Sequence, residues 1–231
     1  MIGIIKGGKH SYKDFGLTVR DTTTETKKKK KTLLEIPFMN GSYDFSSLYG
    51  GQVFEEEART YEFNLVARDK YDLEVQKMKI SNWLLDGERS EVYDDLLVGY
   101  HYQAECVELI FEENHNYAKV VANFRVYPFK IRDVYEGDDI WDVFNFELDV
   151  AQDVKFNIES LKNVVLINNG TNVVTPVVIC GAQMSVTLDD KTFKFPKGES
   201  KDYRFRLKKG DNHLRIAGAG KIEFKFRKEV L

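Results

Sequence analysis

The segment LEIPFMNGSYDFSSLYGGQVFEEEARTYEFNL, residues 34–65, decides the fold class of this chain of 231 residues. Pro37 favours an extended start, and Asn40-Gly41 favours a turn because both residues tolerate positive φ. Gly50-Gly51 interrupts the chain again, and residues 59–63 then alternate polar and apolar side chains, as half-buried strands do. The segment therefore predicts a strand, a tight turn, an aromatic-rich loop and a second strand, with no residues arranged for catalysis.

The charge of the chain is distributed unevenly along the sequence. Residues 86–113 contain nine acidic residues against one arginine, and residues 191–231 contain thirteen Lys or Arg against five Asp or Glu, although the net charge is only −3. Blocks of opposite charge can steer subunits into head-to-tail contact. Solvated strand faces remain the alternative interpretation.

The cysteines and the hydropathy pattern indicate the cellular compartment in which the chain folds. Cys106 and Cys180 lie in apolar runs of separate predicted domains, which predicts buried thiols in a reducing environment and no disulfide framework. The apolar run at the N-terminus is too short for a signal peptide, and no 18-residue apolar stretch follows. We therefore expect folding in a cytoplasm and no membrane segment.

A change of composition near the middle of the chain predicts two domains. An apolar strand ends at Pro128, and after Arg132 comes an acidic connector that contains Gly137. We place the first domain at residues 1–132, the linker at 133–139 and the second domain at 140–231.

One helix is predicted in the first domain. Asp72 suits its N-cap, and Gly87 suits the position just after its end. A rotation of 100° per residue produces two apolar stripes. The first stripe contains Leu73, Ile80 and Leu84 with Trp83 beside them, and the second contains Val75, Met78 and Leu85. We expect the first stripe to pack on a sheet, and the second to meet either a loop of the same chain or a neighbouring subunit.

The run from Thr22 to Lys31 is too polar to enter a core. Threonines favour extended backbone and five successive lysines repel one another, which predicts an exposed hairpin arm or a mobile loop. A nucleic-acid patch is less well supported, because no aromatic residues are interleaved and the chain is slightly acidic. The candidate subunit-contact residues of this run are Lys27, Lys28, Lys29, Lys30 and Lys31.

The second domain has the pattern of an all-β protein. Apolar residues alternate with polar ones around residues 144–150 and 154–158, and turn residues separate strands at even spacing. The more continuous apolar runs at residues 164–167 and 173–180 predict strands buried on both faces. Such a series is typical of a β-sandwich or jelly roll.

The sequence contains no arrangement that indicates catalysis. Its four histidines are far apart, and it has no nucleophile elbow, Walker loop or dinucleotide fingerprint. Asp138, Asp139 and Asp142 fit a solvated linker better than a calcium site. We therefore predict no catalytic residues, no metal site, no cofactor and no enzyme activity.

The order of short motifs resembles the distal tail proteins of long-tailed phages. In the first domain the motifs are Tyr12-x-Asp14-Phe15-Gly16-Leu17, read as an early strand, residues 34–65, Asn82-Trp83-Leu84 and the strand 124–129. In the second domain they are Asn169-Gly170-Thr171, Pro176 and Gly210-Asp211-Asn212. The resemblance implies a mainly β chain with an N-terminal β-sandwich or split-barrel ring domain containing one α-helix, followed by a C-terminal galectin-like β-sandwich (jelly roll).

The resemblance also implies a function at the tip of a siphophage or prophage tail. Such proteins form a hexameric ring, sometimes stacked, between the tail tube protein and the tail-associated lysin or hub protein. A projecting hairpin embraces the next subunit, the outer domain docks receptor-binding or baseplate proteins, and DNA passes through the lumen without specific binding. The expected location is the virion, after assembly in the host cytoplasm.

A carbohydrate-binding module that recognises a host cell-wall polymer is the alternative function. Galectin-like sugar sites usually stack the sugar on a tryptophan, and the second domain has only Trp141, at its entrance. A carbohydrate-binding module would also need an exposed aromatic platform. We therefore expect the outer domain to bind protein.

Overall fold

The computed structural model describes residues 2–48, 51–138 and 150–231. Strands predominate, so the predicted mainly β fold class is confirmed. The described chain divides into two compact units, the first made of Met1–Leu97 and His101–Pro128 and the second of Val98–Tyr100 and Phe129–Leu231. Trp141, part of the acidic linker and, except for Val150, the strand predicted around residues 144–150 lie outside the described residues.

The first unit contains the following elements in chain order: β1 (Ile4–Lys6), β2 (Lys9–His10), α1 (Ser11–Phe15), β3 (Thr18–Thr24), β4 (Leu33–Leu34), β5 (Tyr43–Asp44), β6 (Glu57–Val66), α2 (Lys70–Leu85), β7 (Ser90–Asp94), β8 (Tyr100–Asn114) and β9 (Tyr117–Val126).

An antiparallel sheet and helix α2 enclose the core of the first unit. The sheet order is β2-β1-β7-β8-β9-β6-β3. Along β6, Tyr61, Phe63 and Leu65 are buried and the residues between them are more exposed, so the alternation predicted for this strand is confirmed. These side chains belong to the same buried cluster as the first stripe of α2, which confirms the predicted packing of that stripe.

The N-terminus of α2 differs from the prediction. The helix begins at Lys70, and its N-cap is Asp69, whose carboxylate accepts a hydrogen bond from the Asp72 amide at 2.8 Å. The predicted N-cap, Asp72, was therefore wrong by one turn, because either aspartate could cap and only Asp69 has extended backbone. The C-terminus agrees with the prediction, since Gly87 has φ +86° just after the helix.

The first unit contains a second, short helix that was not predicted from the sequence. Residues read as an early strand form α1, which ends at Gly16 in the left-handed conformation. The imidazole Nδ1 of His10 caps this helix by accepting hydrogen bonds from the amides of Tyr12 (2.9 Å) and Lys13 (3.3 Å). A cap formed by one imidazole leaves no mark on the apolar pattern, which explains the error.

The second unit contains these elements: β10 (Lys130–Arg132), β11 (Lys155–Ile158), β12 (Leu161–Asn168), β13 (Val177–Cys180), β14 (Met184–Leu188), β15 (Lys191–Phe195), β16 (Gly198–Ser200), β17 (Gly210–Ala217), β18 (Gly220–Lys225) and β19 (Glu229–Val230). Two four-stranded sheets have the orders β11-β18-β13-β16 and β12-β17-β14-β15, and β10 pairs with β19. Cys180 and, in the first unit, Cys106 are buried free thiols, as predicted.

The buried side chains of the two four-stranded sheets form one cluster, in which the rings of Phe205 and Phe224 lie 6.2 Å apart. Residues 164–167 are not buried on both faces as predicted, because Val165 is 42% exposed between the buried residues Val164 and Leu166. Val173 is also 42% exposed. In an antiparallel sandwich each sheet has one face in solvent, so the continuous apolar runs were misleading.

No helix among the described residues is long and apolar enough to span a membrane.

Candidate assembly surface

Residues 25–48 and 51–56 form an arm that continues from the paired strands β3 and β6. Its base is closed by backbone hydrogen bonds from Glu25 to Ala58 (3.0 Å), from Glu55 to Lys28 (2.9 Å) and from Lys30 to Val53 (2.8 Å). Farther out, β4 pairs with β5 around the predicted turn, where Gly41 has φ +81°. The arm is thus a two-stranded structure whose base is closed by backbone hydrogen bonds.

The arm exposes more apolar surface than a two-stranded ribbon can support in water. Eight large apolar side chains, each at least 42% exposed, project from it, and none belongs to a buried cluster. They are Leu33, Leu34, Ile36, Phe38, Tyr43, Phe45, Leu48 and Val53. Concentrated exposed apolar surface of this kind is typical of segments that are buried in a complex.

The most exposed of these side chains lies near the tip of the arm. The side chain of Phe38 is fully exposed, and its backbone has φ +68° in a turn closed by a hydrogen bond from the Met39 amide to the Ile36 carbonyl oxygen at 3.1 Å. A left-handed conformation is uncommon for a bulky residue. The turn therefore presents an aromatic ring to solvent at a backbone cost.

The five lysines of the arm have different environments. The Lys27 ammonium pairs with the buried Glu57 carboxylate and donates a hydrogen bond to the Pro128 carbonyl oxygen at 2.7 Å. Lys31 pairs with Asp44 at 2.6 Å, and this hydrogen bond is the main cause of a lowered pKa at Asp44. Both lysines thus have partners within the chain.

Lys28, Lys29 and Lys30 are exposed and form no ion pair within the part of the chain that the structure describes. Of the five candidate lysines, these three keep their charge available to an external partner.

The second apolar stripe of α2 lies on the surface. Met78 is 59% exposed and Leu85 is 45% exposed, whereas Val75 is half-buried. Tyr71, 81% exposed, extends this stripe because it precedes Met78 by seven residues, as Met78 precedes Leu85. Tyr71 was not predicted from the sequence, although its spacing of two helical turns from Met78 could have identified it.

A shallow depression of about 500 Å³ adjoins this stripe. It is lined by Met78 and its neighbours on α2 and by Leu109 and Phe111 on β8. The Lys77 ammonium lies 5.7 Å from the centre of the Phe111 ring and pairs with Glu113. The depression is open and has a charged border, as expected for a surface that meets another protein rather than a small ligand.

A buried polar cluster stabilises the sheet next to the arm. The Arg59 guanidinium stacks on the Tyr102 ring at 4.5 Å and donates a hydrogen bond to its hydroxyl at 2.6 Å. The Asp94 carboxylate accepts a hydrogen bond from the Tyr61 hydroxyl at 2.8 Å and lies 3.5 Å from Arg59. Burial is the main cause of the raised pKa of Tyr61. Since protein groups pair with the carboxylate, the cluster has a structural role.

Within residues 2–48, 51–138 and 150–231, no three His, Cys, Asp or Glu side chains gather as metal ligands. His10, the cap of α1, uses its Nε2 to contact the Asp95 carboxylate at 3.0 Å. Its two ring nitrogens therefore both serve local structure.

The fold is similar to that of a solved phage protein. The chain matches the crystal structure of the Dit protein of SPP1 with a TM-score of 0.70 and 12% sequence identity, over 98% of this chain and 99% of that chain. That protein is described as a paradigm of the hub adsorption apparatus in phages that infect Gram-positive bacteria. No protein-family model and no curated protein matches the chain. The resemblance predicted from the sequence is confirmed at the level of the fold.

Proposed function

We propose that the chain is a structural, non-enzymatic protein of a siphophage or prophage tail tip that assembles into a six-fold ring. The ring joins the tail tube protein to the tail-associated lysin or hub protein, and DNA passes through its lumen at ejection. The observation that carries this proposal is the apolar arm, residues 25–48 and 51–56, on a fold shared over nearly its full length with a phage hub protein.

The arm supports assembly because its apolar side chains need a partner. A hairpin of two strands is marginally stable alone, and water contact with eight large apolar groups is unfavourable. If the arm of one copy binds a different surface of the next copy, the contact is head-to-tail and closes into a ring when the rotation permits. In this proposal the acceptor surface is the exposed stripe of α2, with Tyr71, Val75, Met78 and Leu85.

Charge supports the same arrangement. Lys28, Lys29 and Lys30 project from the arm, while β8 presents the exposed carboxylates of Glu108 and Glu112. An attraction between the arm of one copy and β8 of the next would select the head-to-tail contact over a symmetric one. Opposite charges at an exposed contact are screened by salt, so assembly should be favoured at low ionic strength.

The remaining partners follow from the proposed location. The first unit forms the ring, and the second unit docks receptor-binding or baseplate proteins. Assembly takes place in the host cytoplasm, and the mature protein is part of the virion. Since DNA must pass, the lumen makes no specific contact with bases.

The test is the solution mass of the purified chain by light scattering after size exclusion, with negative-stain images of the peak. We expect hexamers or stacked hexamers with a central hole. The double variant Leu34→Ser/Phe38→Ser should elute as a folded monomer, because it removes arm contacts that the monomer does not use.

The matched control is Leu161→Ser/Val173→Ser, which removes two exposed apolar side chains of the second unit. This control should still form rings. A wild-type chain that stays monomeric both alone and with its tail tube protein would overturn the ring proposal. Rings formed by the arm variant would overturn the role of the arm.

A further inference from the structure

The open edge of the sandwich in the second unit carries a cationic cleft that ring assembly does not require. Strands β15 and β16 are edge strands of the two opposed sheets. Between them lies a concavity of about 460 Å³, and the buried residue Phe195 is part of its lining. The other residues lining it are Lys194, Ser200, Lys201, Asp202, Tyr203 and Arg204.

The charge around this cleft is strongly positive. Residues 191–209 contain eight Lys or Arg and two Asp or Glu, a difference of +6. Neither Lys194 nor Lys201 has a carboxylate partner within the described parts of the chain, and both are exposed. Uncompensated cations at a concave surface raise the local concentration of anions.

The cleft is held in shape by a buried anchor. Phe205 is fully buried, with its ring centre 5.2 Å from that of Phe193 and 5.4 Å from that of Phe195. Its amide donates a hydrogen bond to the Asp202 carbonyl oxygen at 3.0 Å, which closes the turn that carries Tyr203. The turn therefore presents Tyr203 outward from a fixed base.

Two side chains at the tip of this turn are also preorganised. The Arg204 guanidinium is held by Asp202 through hydrogen bonds at 3.0 Å from Nε and 2.7 Å from an Nη atom, while its side chain remains mostly in solvent. Tyr203 is 69% exposed, and the Lys201 ammonium lies 5.4 Å from its ring centre. A cation fixed by a bidentate pair loses little conformational entropy when it binds an anion.

We propose that this cleft binds a flexible phosphodiester polymer with a polyol backbone, of the kind found in bacterial cell walls. Lys194, Lys201 and Arg204 would contact successive phosphates, and Tyr203 would pack against the polyol carbons between them. The Ser200 hydroxyl donates a hydrogen bond to the Val178 carbonyl oxygen at 3.5 Å, and its oxygen can accept one from a polyol hydroxyl.

The composition of the cleft favours this polymer over two other polyanions. A stable protein interface needs an apolar centre, and Tyr203 is the only large exposed apolar side chain among the lining residues. Single-stranded nucleic acid is usually held by several aromatic side chains that stack on successive bases, and one tyrosine provides only one such platform.

The experiment measures binding of the full-length chain to a short synthetic poly(glycerol phosphate) by titration calorimetry. We expect binding that weakens with salt, with a slope of log Kd against log salt of about 2 for three phosphate contacts. The variant Lys194→Gln/Lys201→Gln/Arg204→Gln should bind at least about tenfold more weakly at low salt. Tyr203→Ala should weaken binding several-fold and leave the salt slope unchanged.

A variant with the same change of charge controls for net charge. Lys13→Gln/Lys79→Gln/Lys221→Gln removes three exposed cations elsewhere and should bind within about twofold of the wild type. Undetectable wild-type binding at low salt, or equal binding by the cleft variant, would overturn the proposal. Tighter binding of poly-glutamate of equal charge would instead assign the cleft to an acidic protein, and tighter binding of an oligothymidylate would assign it to nucleic acid.

This site does not depend on the proposed ring. Light scattering on the same samples reports the oligomeric state. Loss of ring formation and absence of polymer binding at the cleft can therefore be distinguished.

Discussion

Lys6 and Trp83 form a reciprocal pair of hydrogen bonds that joins β1 to the end of α2. The Lys6 ammonium donates to the Trp83 carbonyl oxygen at 3.2 Å, and the Trp83 indole N–H donates to the Lys6 carbonyl oxygen at 2.9 Å. The ammonium also donates to the Asp86 carbonyl oxygen at 3.0 Å. The buried Lys6 ammonium thus donates hydrogen bonds to carbonyl groups at the C-terminal end of α2, where carbonyls have no partner within the helix.

Lys6→Met should lower the free energy of unfolding by about 1–3 kcal/mol, because the buried carbonyl of Trp83 and the partly buried carbonyl of Asp86 lose a charged donor. Lys79→Met, at an exposed position of the same helix, should change it by less than about 0.5 kcal/mol. Urea unfolding followed by circular dichroism checks both values. Equal stability of the two variants would contradict the role assigned to Lys6.

Because the hydroxyl of Tyr61 is buried, we expect the protein to lose stability at alkaline pH. Burial and the nearby Asp94 raise the pKa of this hydroxyl above the ordinary value of 10. The folded state therefore keeps a proton that the unfolded state releases near pH 10. Its contribution to stability is complete below pH 10 and is lost as the pH rises above it, by up to about 1.4 kcal/mol per pH unit.

The free energy of unfolding of Tyr61→Phe should decrease less steeply between pH 10 and pH 11 than that of the wild type. Urea unfolding at a series of pH values measures this difference. At pH 8 the variant should be less stable by about 1–2 kcal/mol, because Asp94 loses a hydrogen-bond donor. Tyr71→Phe, at an exposed position, should follow the wild type throughout. Parallel curves for the wild type and Tyr61→Phe would rule out this origin of the pH dependence.

The elements predicted well from sequence are those in which one strong local pattern fixes the structure. Two examples are the alternation at Tyr61 and Phe63 and the first stripe of α2. In both, burying one face requires apolar residues at the period of the strand or helix. The helix α1 was missed because its cap is a histidine side chain. The burial of residues 164–167 was misjudged because apolar runs do not state how many faces of a sheet are covered.

The candidate site was only partly visible in the sequence. The second stripe was expected to meet either a loop of the same chain or a neighbouring subunit, and Tyr71 was not recognised as a neighbour of Met78 and Leu85 on it. The lysine run gave no sign that Lys27 pairs with Glu57, since the partners are 30 residues apart and meet through the pairing of β3 with β6. Contacts of this range depend on strand register, which composition does not specify.

The environments of the arm lysines predict different effects of substitution, on stability for Lys27 and on assembly for Lys28, Lys29 and Lys30. Lys27→Met should lower the free energy of unfolding by about 3 kcal/mol, because it leaves the buried Glu57 carboxylate without its cation. Lys28→Gln/Lys29→Gln/Lys30→Gln should leave stability within about 0.5 kcal/mol of the wild type and weaken ring formation at low salt. Urea unfolding and light scattering at two salt concentrations separate these effects. The assignment of the three lysines to an external contact is wrong if their removal leaves assembly unchanged.

Met78 tests whether the stripe of α2 is a subunit contact. Met78→Glu places a carboxylate on a side chain that is 59% exposed, so the monomer has little reason to unfold and its urea midpoint should stay close to that of the wild type. In an assembled ring the same carboxylate would be desolvated against an apolar arm, which costs several kcal/mol unless a cation pairs with it. Light scattering should therefore show monomers at concentrations where the wild type forms rings. Lys79→Glu, one residue farther along the helix and about 100° around its axis, is the matched control and should still assemble. If Met78→Glu forms rings as readily as this control, the arm binds elsewhere on the neighbouring copy, and the exposed stripe belongs to a different contact.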